Sequence, residues 1–172
     1  MLELLLFRHA KAAPADAHTS DRHRRLTERG RDASATIGSE LAARGWVPDL
    51  ALCSDAARAR ETLEGASARW SAPPPVREIP ALYDIMGDDY LTVVRDEGGM
   101  VHRLMLVGHN PAMQQTTLEL AGQGDVALIA HATRKFPTGA VAVLRFDATD
   151  WAQVERGSGR LLALLLPPRT DD

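Results

Sequence analysis

The chain alternates short apolar runs with longer stretches in which apolar residues are spaced for one face of a helix. The first run begins at Leu2, has the length of a strand and ends abruptly at two polar residues, Arg8 and His9. Similar runs recur further along, separated by stretches of helical spacing. The pattern predicts strands at 2–7, 49–53, 76–79, 103–107, 140–146 and 161–166, and helices at 27–45, 54–69, 88–97 and 110–122.

The order of these elements predicts an α/β fold in three layers, α/β/α. Strands that alternate with helices of this length form a mainly parallel sheet with helices on both faces. Turn residues at 147–159 separate the last two strands, which are therefore expected to pair as an antiparallel hairpin at an edge. Three side chains are expected to cap helices: Thr27, Ser54 and Asn110, the last with Pro111 in the first turn.

Length and composition limit the classes of protein to which the chain belongs. At 172 residues and 45% hydrophobic, it is expected to form one domain over 1–172. A net charge of −3 argues against the strongly basic face of a nucleic-acid binder. The single cysteine, Cys53, allows no internal disulfide, and no apolar run approaches the roughly 20 residues of a membrane span. We therefore expect a soluble, cytoplasmic protein whose partner is small or locally anionic.

Three predicted strands end in side chains that suit one phosphate group. Arg8 and His9 follow the first strand. Arg58 lies in the first helical turn after the second strand, and His109 follows the strand at 103–107. The carboxyl ends of parallel strands lie along one edge of a sheet, which is where α/β proteins bind ligands. A guanidinium group matches phosphate oxygens, a neutral imidazole is a nucleophile near neutral pH, and a helix N-terminus favours anions. The residues predict a site for phosphoryl transfer.

Three other interpretations of these residues are open at this point. Cys53 and Arg58 suggest a cysteine phosphatase, although four residues separate them and that class needs five. A metal hydrolase would use His9, His109 and aspartates, but the sequence has no paired-ligand spacing such as His-x-His. A binding module would hold a phosphorylated group without turnover. Phosphatase activity measured with and without a chelator distinguishes these classes.

Four motifs, in the same order along the chain, resemble the histidine phosphatase superfamily, also called the phosphoglycerate-mutase-like fold. The matching segments are 6–12 (LFRHAKA), 26–30 (LTERG), 54–62 (SDAARARET) and 107–111 (VGHNP). The Ala-Lys variant at 10–11, the short chain and 136–140 (FPTGA) are most similar to the SixA-type phosphohistidine phosphatases, the compact branch without an inserted cap. The resemblance spans most of the chain.

The resemblance implies a role for each matching residue. His9 corresponds to the nucleophile that becomes phosphorylated. Arg8, Arg58 and His109 correspond to the pocket around the phosphoryl oxygens, and Arg24, just before the second motif, is a further candidate phosphate contact. The cations are expected to lower the pKa of His9 and keep it neutral. Two forked arginines and a donor histidine supply the charge stabilisation that phosphoryl transfer requires, so neither a metal nor another cofactor is expected.

Asp84 stands where larger members of the superfamily carry a glutamate that donates a proton to the leaving group. It is one methylene shorter and closer to Gly87 than the family spacing, and it is a candidate general acid by position. Phosphohistidine expels an imidazole, which needs less help from an acid than an alkoxide does. We therefore expect a SixA-like phosphatase that acts on phosphohistidine in a protein. The alternatives are a small-molecule phosphomonoester phosphatase and a non-catalytic phosphate-binding module, and neither nucleic acid nor a membrane is an expected partner.

Overall fold

The computed structural model describes residues 1–84 and 89–169, which form alternating strands and helices. The strands are β1 Leu2–Arg8, β2 Leu50–Cys53, β3 Val76–Glu78, β4 Arg103–Gly108, β5 Ala121–Gly124, β6 Val141–Phe146 and β7 Gly159–Leu165. The helices are α1 Glu28–Ala43, α2 Ala57–Ser67, α3 Tyr90–Glu97, α4 Ala112–Leu120 and α5 Val126–Arg134. Short 3-10 turns at Asp21–His23, Pro80–Leu82 and Trp151–Gln153 lie between them.

The strands form one sheet in the order β3-β2-β4-β1-β6-β7-β5. β1 lies in the middle, with β4 parallel on one side and β6 antiparallel on the other. β2 and β3 extend the parallel half, β7 pairs antiparallel with β6, and β5 pairs parallel with β7. The predicted mainly parallel sheet with an antiparallel late pair is confirmed. Because β7 is antiparallel to β6, it runs in the same direction as β1.

β1 is buried on both faces because helices cover both faces of the sheet. Successive side chains of a strand point to opposite faces. Leu6 lies in the core cluster that includes Met113 of α4, whereas Phe7 lies in the cluster that includes Ile37 of α1. A strand that is buried on both faces is expected to be a continuous apolar run rather than an alternating one, and residues 4–7 of β1 form such a run. The predicted three-layer arrangement is confirmed.

One of the three predicted helix caps is confirmed and two are wrong. The hydroxyl of Thr27 accepts a hydrogen bond from an amide in the first turn of α1, at 3.0 Å. α2 begins after Ala56 without a side-chain cap, because Ser54 lies two residues before the cap position and its hydroxyl accepts from the amide of Ala56 itself. At α4, Pro111 occupies the cap position, and Oδ1 of Asn110 instead accepts from an amide one turn into the helix, at 3.2 Å.

The sequence pattern did not predict β5 and α5. The helix predicted at 110–122 ends at Leu120, and β5 follows as an edge strand with an irregular register. α5 begins after Asp125, whose carboxylate accepts hydrogen bonds from two amides of the first turn. Ala132 is the fully buried residue of this helix, while Leu128 and Ile129 are partly buried and pack against the core. An acidic cap before an apolar segment was the available signal.

α3 begins at Tyr90, and the side chain of Asp89 caps it by accepting from the amide of Thr92 at 2.9 Å. Asp88, at which the sequence pattern places the start of this helix, lies outside the described residues. None of the helices in the described part of the chain combines the length and apolar character that crossing a bilayer requires.

Candidate active site

The strand ends bring the predicted site residues together at one edge of the sheet. β1 and β4 are parallel and pair Arg8 with Gly108, so His9 and His109 follow at neighbouring strand ends. The centroids of the two imidazole rings lie 5.1 Å apart. Ser54 follows β2 on the other side of β4, and its Oγ lies 2.8 Å from Nε2 of His109. The register of the sheet therefore positions both histidines.

A cleft of about 510 Å³ opens at this edge. Five of the six residues that the sequence singled out line it: Arg8, His9, Arg24, Arg58 and His109. Lys11, Ala12, Asp21, Tyr83, Asn110 and Thr138 complete the lining. Asp84, the sixth candidate, is exposed and does not line the cleft.

His9 is held as a neutral ring with one nitrogen available. The residue is 8% exposed, and its Nδ1 lies 2.7 Å from the carbonyl oxygen of Ala10. A carbonyl only accepts hydrogen bonds, so Nδ1 carries the proton and Nε2 keeps its lone pair. Burial is the largest of the effects that lower the pKa of His9 to about 4, and the charges of Arg58 and Arg8 act in the same direction. The predicted effect of the cations on this pKa is present, but burial exceeds it.

Thr62 of α2 holds the backbone after His9 in place. Its hydroxyl accepts a hydrogen bond from the amide of Ala10 at 2.9 Å and donates one to the carbonyl of Arg58 at 2.6 Å. The side chain is fully buried, so the contact is protected from water. Through these two hydrogen bonds, Thr62 connects the end of β1 to α2, which gives the threonine four residues after Arg58 a structural role in the site.

His109 is also neutral, and two hydroxyl groups hold it in place. Its amide donates to the hydroxyl of Tyr90 at 2.9 Å. The Ser54 hydroxyl accepts from the amide of Ala56 at 3.2 Å and can donate its own proton to Nε2 of His109. When Ser54 donates in this way, the proton of His109 lies on Nδ1, and this atom is buried without a hydrogen-bond partner among the described residues. Burial, followed by the proximity of His9 and Arg58, lowers the pKa of His109 to about 3.

The guanidinium groups of Arg8 and Arg58 each retain an unused buried donor. Nη1 of Arg8 donates to the carbonyl of Phe136 at 2.8 Å. Arg58 donates from Nη1 to the carbonyl of Asp21 at 2.7 Å and from Nη2 to its carboxylate at 3.0 Å. Nε of both arginines is buried without a hydrogen-bond partner within the described residues. A buried N–H group without a hydrogen bond lowers the stability of the folded protein, and an anion that accepts from it would remove that penalty. Both guanidinium groups are therefore suited to bind an anion.

Asp21 links three of the surrounding side chains, a role that the sequence analysis did not predict. Its carboxylate accepts from Arg58, from Nε of Arg24 at 2.9 Å and from the hydroxyl of Tyr83 at 2.6 Å. The hydrogen bond from Tyr83 is the largest cause that holds the pKa of Asp21 well below its usual range, and the two arginines add to it. Asp21 is therefore an ionised carboxylate at the mouth of the cleft, 62 positions away from Tyr83 in sequence.

The environment of Cys53 excludes the cysteine-phosphatase interpretation. The residue lies within β2 and is 1% exposed. Burial raises the pKa of its thiol to about 12, so the reactive thiolate does not form near neutral pH. As for a metal hydrolase, residues 1–84 and 89–169 contain no group of three or more His, Cys, Asp or Glu side chains placed to hold a metal ion.

Because both histidines are buried and neutral, we expect the folded protein to lose stability in mild acid. Between about pH 6.5 and pH 4, the unfolded chain protonates both rings while the native protein keeps them neutral. The free energy of unfolding should therefore fall as the pH drops through this interval, by up to about 1.4 kcal/mol per pH unit for each histidine. Urea unfolding at several pH values measures the slope.

The matched variants for this measurement are His9→Gln and His109→Gln, which remove one titrating ring each. Each should reduce the slope of stability against pH in that interval. The same substitution at the exposed His102 should leave the slope unchanged. A slope that none of the buried substitutions alters would show that the rings protonate equally in the folded and unfolded states.

Comparison with known proteins relates this chain to one family. The sequence profile of the histidine phosphatase superfamily (branch 1) matches residues 4–97. An uncharacterized protein of Mycobacterium tuberculosis is 35% identical over 162 residues, which cover 93% of this chain and 99% of that protein. An uncharacterized chloroplastic protein of Arabidopsis thaliana is 28% identical over 165 residues, covering 91% of this chain and 72% of that protein.

Solved structures that carry the name SixA share the fold along nearly the whole chain. One from Nakamurella multipartitia superposes with a TM-score of 0.82 at 28% identity and covers 96% of both chains. One from Agrobacterium tumefaciens has a TM-score of 0.80 at 32% identity and covers 96% of this chain and 98% of that one. The protein histidine phosphatase SixA complexed with tungstate has a TM-score of 0.72 at 25% identity and covers 95% and 96%.

Proposed function

Because this chain belongs to branch 1 of the histidine phosphatase superfamily, we propose that it is a phosphatase that removes the phosphoryl group from phosphohistidine in a protein. One observation carries the proposal: a neutral His9, with Nε2 unprotonated, lies in a cleft beside the guanidinium groups of Arg8 and Arg58. That arrangement combines a nucleophile with donors for the phosphoryl oxygens. The likeness to the SixA structures, one of them with the tetrahedral oxyanion tungstate, supports the same substrate group.

The proposed reaction proceeds through a phosphorylated His9. Nε2 attacks the phosphorus atom opposite the leaving nitrogen, so that a new N–P bond forms as the N–P bond of the substrate breaks. The substrate imidazole leaves with the electron pair of that bond and takes a proton from solvent. Water then attacks the phosphoryl group on His9, which releases orthophosphate and restores the free imidazole.

Arg8, Arg58 and His109 are the proposed contacts of the phosphoryl oxygens in this reaction. The unused Nε donors of the arginines and the Nδ1 proton of His109 are available for the charge that develops on those oxygens. Arg24 is the proposed outer contact, since it lines the cleft but already donates to Asp21 and to the carbonyl of Ala13. The proposed mechanism uses no metal, because these cations supply the charge stabilisation.

The carboxylates near the cleft favour phosphohistidine over an alkyl phosphate. Asp84 is exposed and outside the cleft lining, and Asp21 is ionised by its hydrogen bonds. Asp84 is therefore not placed to act as a general acid in the cleft, and Asp21 has no proton to give. An alkoxide leaving group depends on such an acid, whereas an imidazole can be protonated by water. A small phosphomonoester remains the second candidate, since the cleft is large enough to hold one.

The test compares a phosphohistidine peptide with an alkyl phosphate in the presence and absence of a chelator. The enzyme should prefer the peptide, and the chelator should leave its turnover unchanged. Asp84→Asn should barely alter turnover of the peptide, as should Asp147→Asn, an exposed aspartate that serves as the control. A clear preference for the alkyl phosphate that collapses in Asp84→Asn would make Asp84 the general acid and the phosphomonoester the substrate.

A further inference from the structure

A second depression continues from the catalytic cleft along the same edge of the sheet. Two hollows of about 200 and 500 Å³ adjoin each other there, sharing Arg29, Thr138 and the prolines at 167 and 168 in their walls. The smaller one also shares Lys11 and Thr138 with the catalytic cleft. We call this continuous depression the rim groove. Its polar and charged lining includes Lys11, Arg29, His131, Lys135, Thr138 and Arg169.

The fold attaches the rim groove firmly to the catalytic strand. β7 runs parallel to β1, so the chain after Leu165 leaves the sheet at the catalytic edge and supplies Pro167 and Arg169. Thr138 lies in the turn before β6, which is closed at Gly139 with φ +82°. The amide of Gly139 donates to the carbonyls of residues 8 and 9 at 3.1 and 3.0 Å. The wall shared by groove and cleft is thus bonded to the backbone of the nucleophile.

The rim groove is strongly cationic, although the chain as a whole has a net charge of −3. Asp32 is the carboxylate among its lining residues, against four lysine and arginine side chains. Lys11, Lys135 and Arg169 are exposed and form no ion pair with any residue that the structure describes. Exposed cations beside a cleft that have no counter-charge among the described residues attract an anionic partner.

We propose that the rim groove binds an acidic segment of the protein substrate, next to its phosphorylated side chain. The inference rests on the proposed function, and it adds the charge that the partner must present. The groove extends away from the cleft as two successive hollows, which suits an extended polypeptide that enters with its phosphorylated residue in the cleft. Each exposed cation contributes modestly to the binding affinity for the acidic segment. Because these contacts lie away from the reacting atoms, they lower KM and leave kcat unaltered.

Two synthetic peptides of equal length, each with one phosphohistidine, test the proposal. One carries aspartate and glutamate on either side of the phosphohistidine, and the other carries serine and alanine there. The wild-type enzyme should show a KM roughly tenfold lower for the acidic peptide at low salt, and the difference should shrink as ionic strength rises. Equal KM values for the two peptides would overturn the proposal.

The double variant Lys135→Glu with Arg169→Glu reverses two groove charges that do not line the catalytic cleft. It should lose the preference for the acidic peptide and keep the wild-type kcat and KM for the neutral one. The control, Arg44→Glu with Arg160→Glu, makes the same change in net charge at the far ends of α1 and β7. An equal loss of preference in the control would overturn the assignment to the groove.

Binding separates this proposal from the proposed function. Fluorescence anisotropy with the unphosphorylated acidic peptide should show weaker binding to the double variant than to the control, even if neither phosphopeptide is hydrolysed. If the acidic peptide binds in this way but neither phosphopeptide is hydrolysed, the proposed function is wrong and the assignment of the groove is supported. Removal of residues 170–172 should leave KM for the acidic peptide within about twofold. A large fall in KM on that removal would show that the C-terminal residues occupy the groove, and it would overturn the proposal. So would a wild-type protein that is a dimer in solution, if the double variant is a monomer and the control is not.

Discussion

Replacing His9 by alanine is expected to reduce phosphatase activity by at least about 10³-fold, which is the largest effect of any single substitution proposed for this protein. The reason is that, in the proposed reaction, Nε2 of His9 forms the covalent bond to phosphorus, and the other histidine of the cleft is already engaged. His109, whose ring centroid lies 5.1 Å from that of His9, is held by Ser54 and by Tyr90. Steady-state turnover of a phosphohistidine peptide measures the loss.

The covalent intermediate gives this prediction a second readout. Rapid quenching with ³²P-labelled substrate should trap a phosphoenzyme in the wild-type protein that is labile in acid and stable in base. His9→Ala should yield none, whereas His102→Ala, at an exposed position before β4, should yield as much as wild type. If His9→Ala retained most of the activity, the nucleophile would have to be another residue. A stable label in acid would indicate a phosphorylated side chain other than histidine.

Arg58→Ala is expected to lower activity by on the order of 10²-fold or more, whereas Arg60→Ala should have little effect. Residues two apart on a helix point about 200° apart, so only one of the two faces the cleft. Arg58 is 6% exposed and lines the cleft. The side chain of Arg60 is 49% exposed and lies 3.7 Å from Glu78 on the outer surface. Turnover of the same peptide by both variants measures the difference.

The Arg58 variant also leaves Asp21 without one of its hydrogen-bond donors, so stability must be measured beside activity. Because the carboxylate of Asp21 keeps Arg24 and Tyr83 and is half exposed, the thermal midpoint should change little. Arg58→Lys keeps the positive charge but lacks the paired donors of the guanidinium group, so it should have more activity than Arg58→Ala and less than the wild type. Equal losses in the Arg58 and Arg60 variants would contradict both the helix geometry and the assignment of the phosphate contact.

The sequence predicted most of the elements that carry the site, because their signals are local. The apolar run before Arg8 requires a buried strand, and the order of strands and helices requires that strand ends share one edge of the sheet. The prediction failed where the signal was weak or shared. α5 is a short apolar segment of 9 residues, and periodicity alone does not distinguish a helix from a strand in such a segment. Ser54 resembles a helix cap in sequence, but its hydroxyl lies next to His109 in the folded protein.

The sequence by itself determined the family. It also predicted that Arg8, His9, Arg58 and His109 share one site, since each follows a strand whose end local patterns locate. Only the tertiary structure decided which carboxylate stands at the cleft. Asp21 reaches Arg58 and Tyr83 across 37 and 62 positions of sequence, whereas Asp84, beside Tyr83 in the chain, is exposed outside the lining. Hydrogen bonds between distant segments, and the burial that makes both histidines neutral, are properties of the packed chain that no local pattern contains.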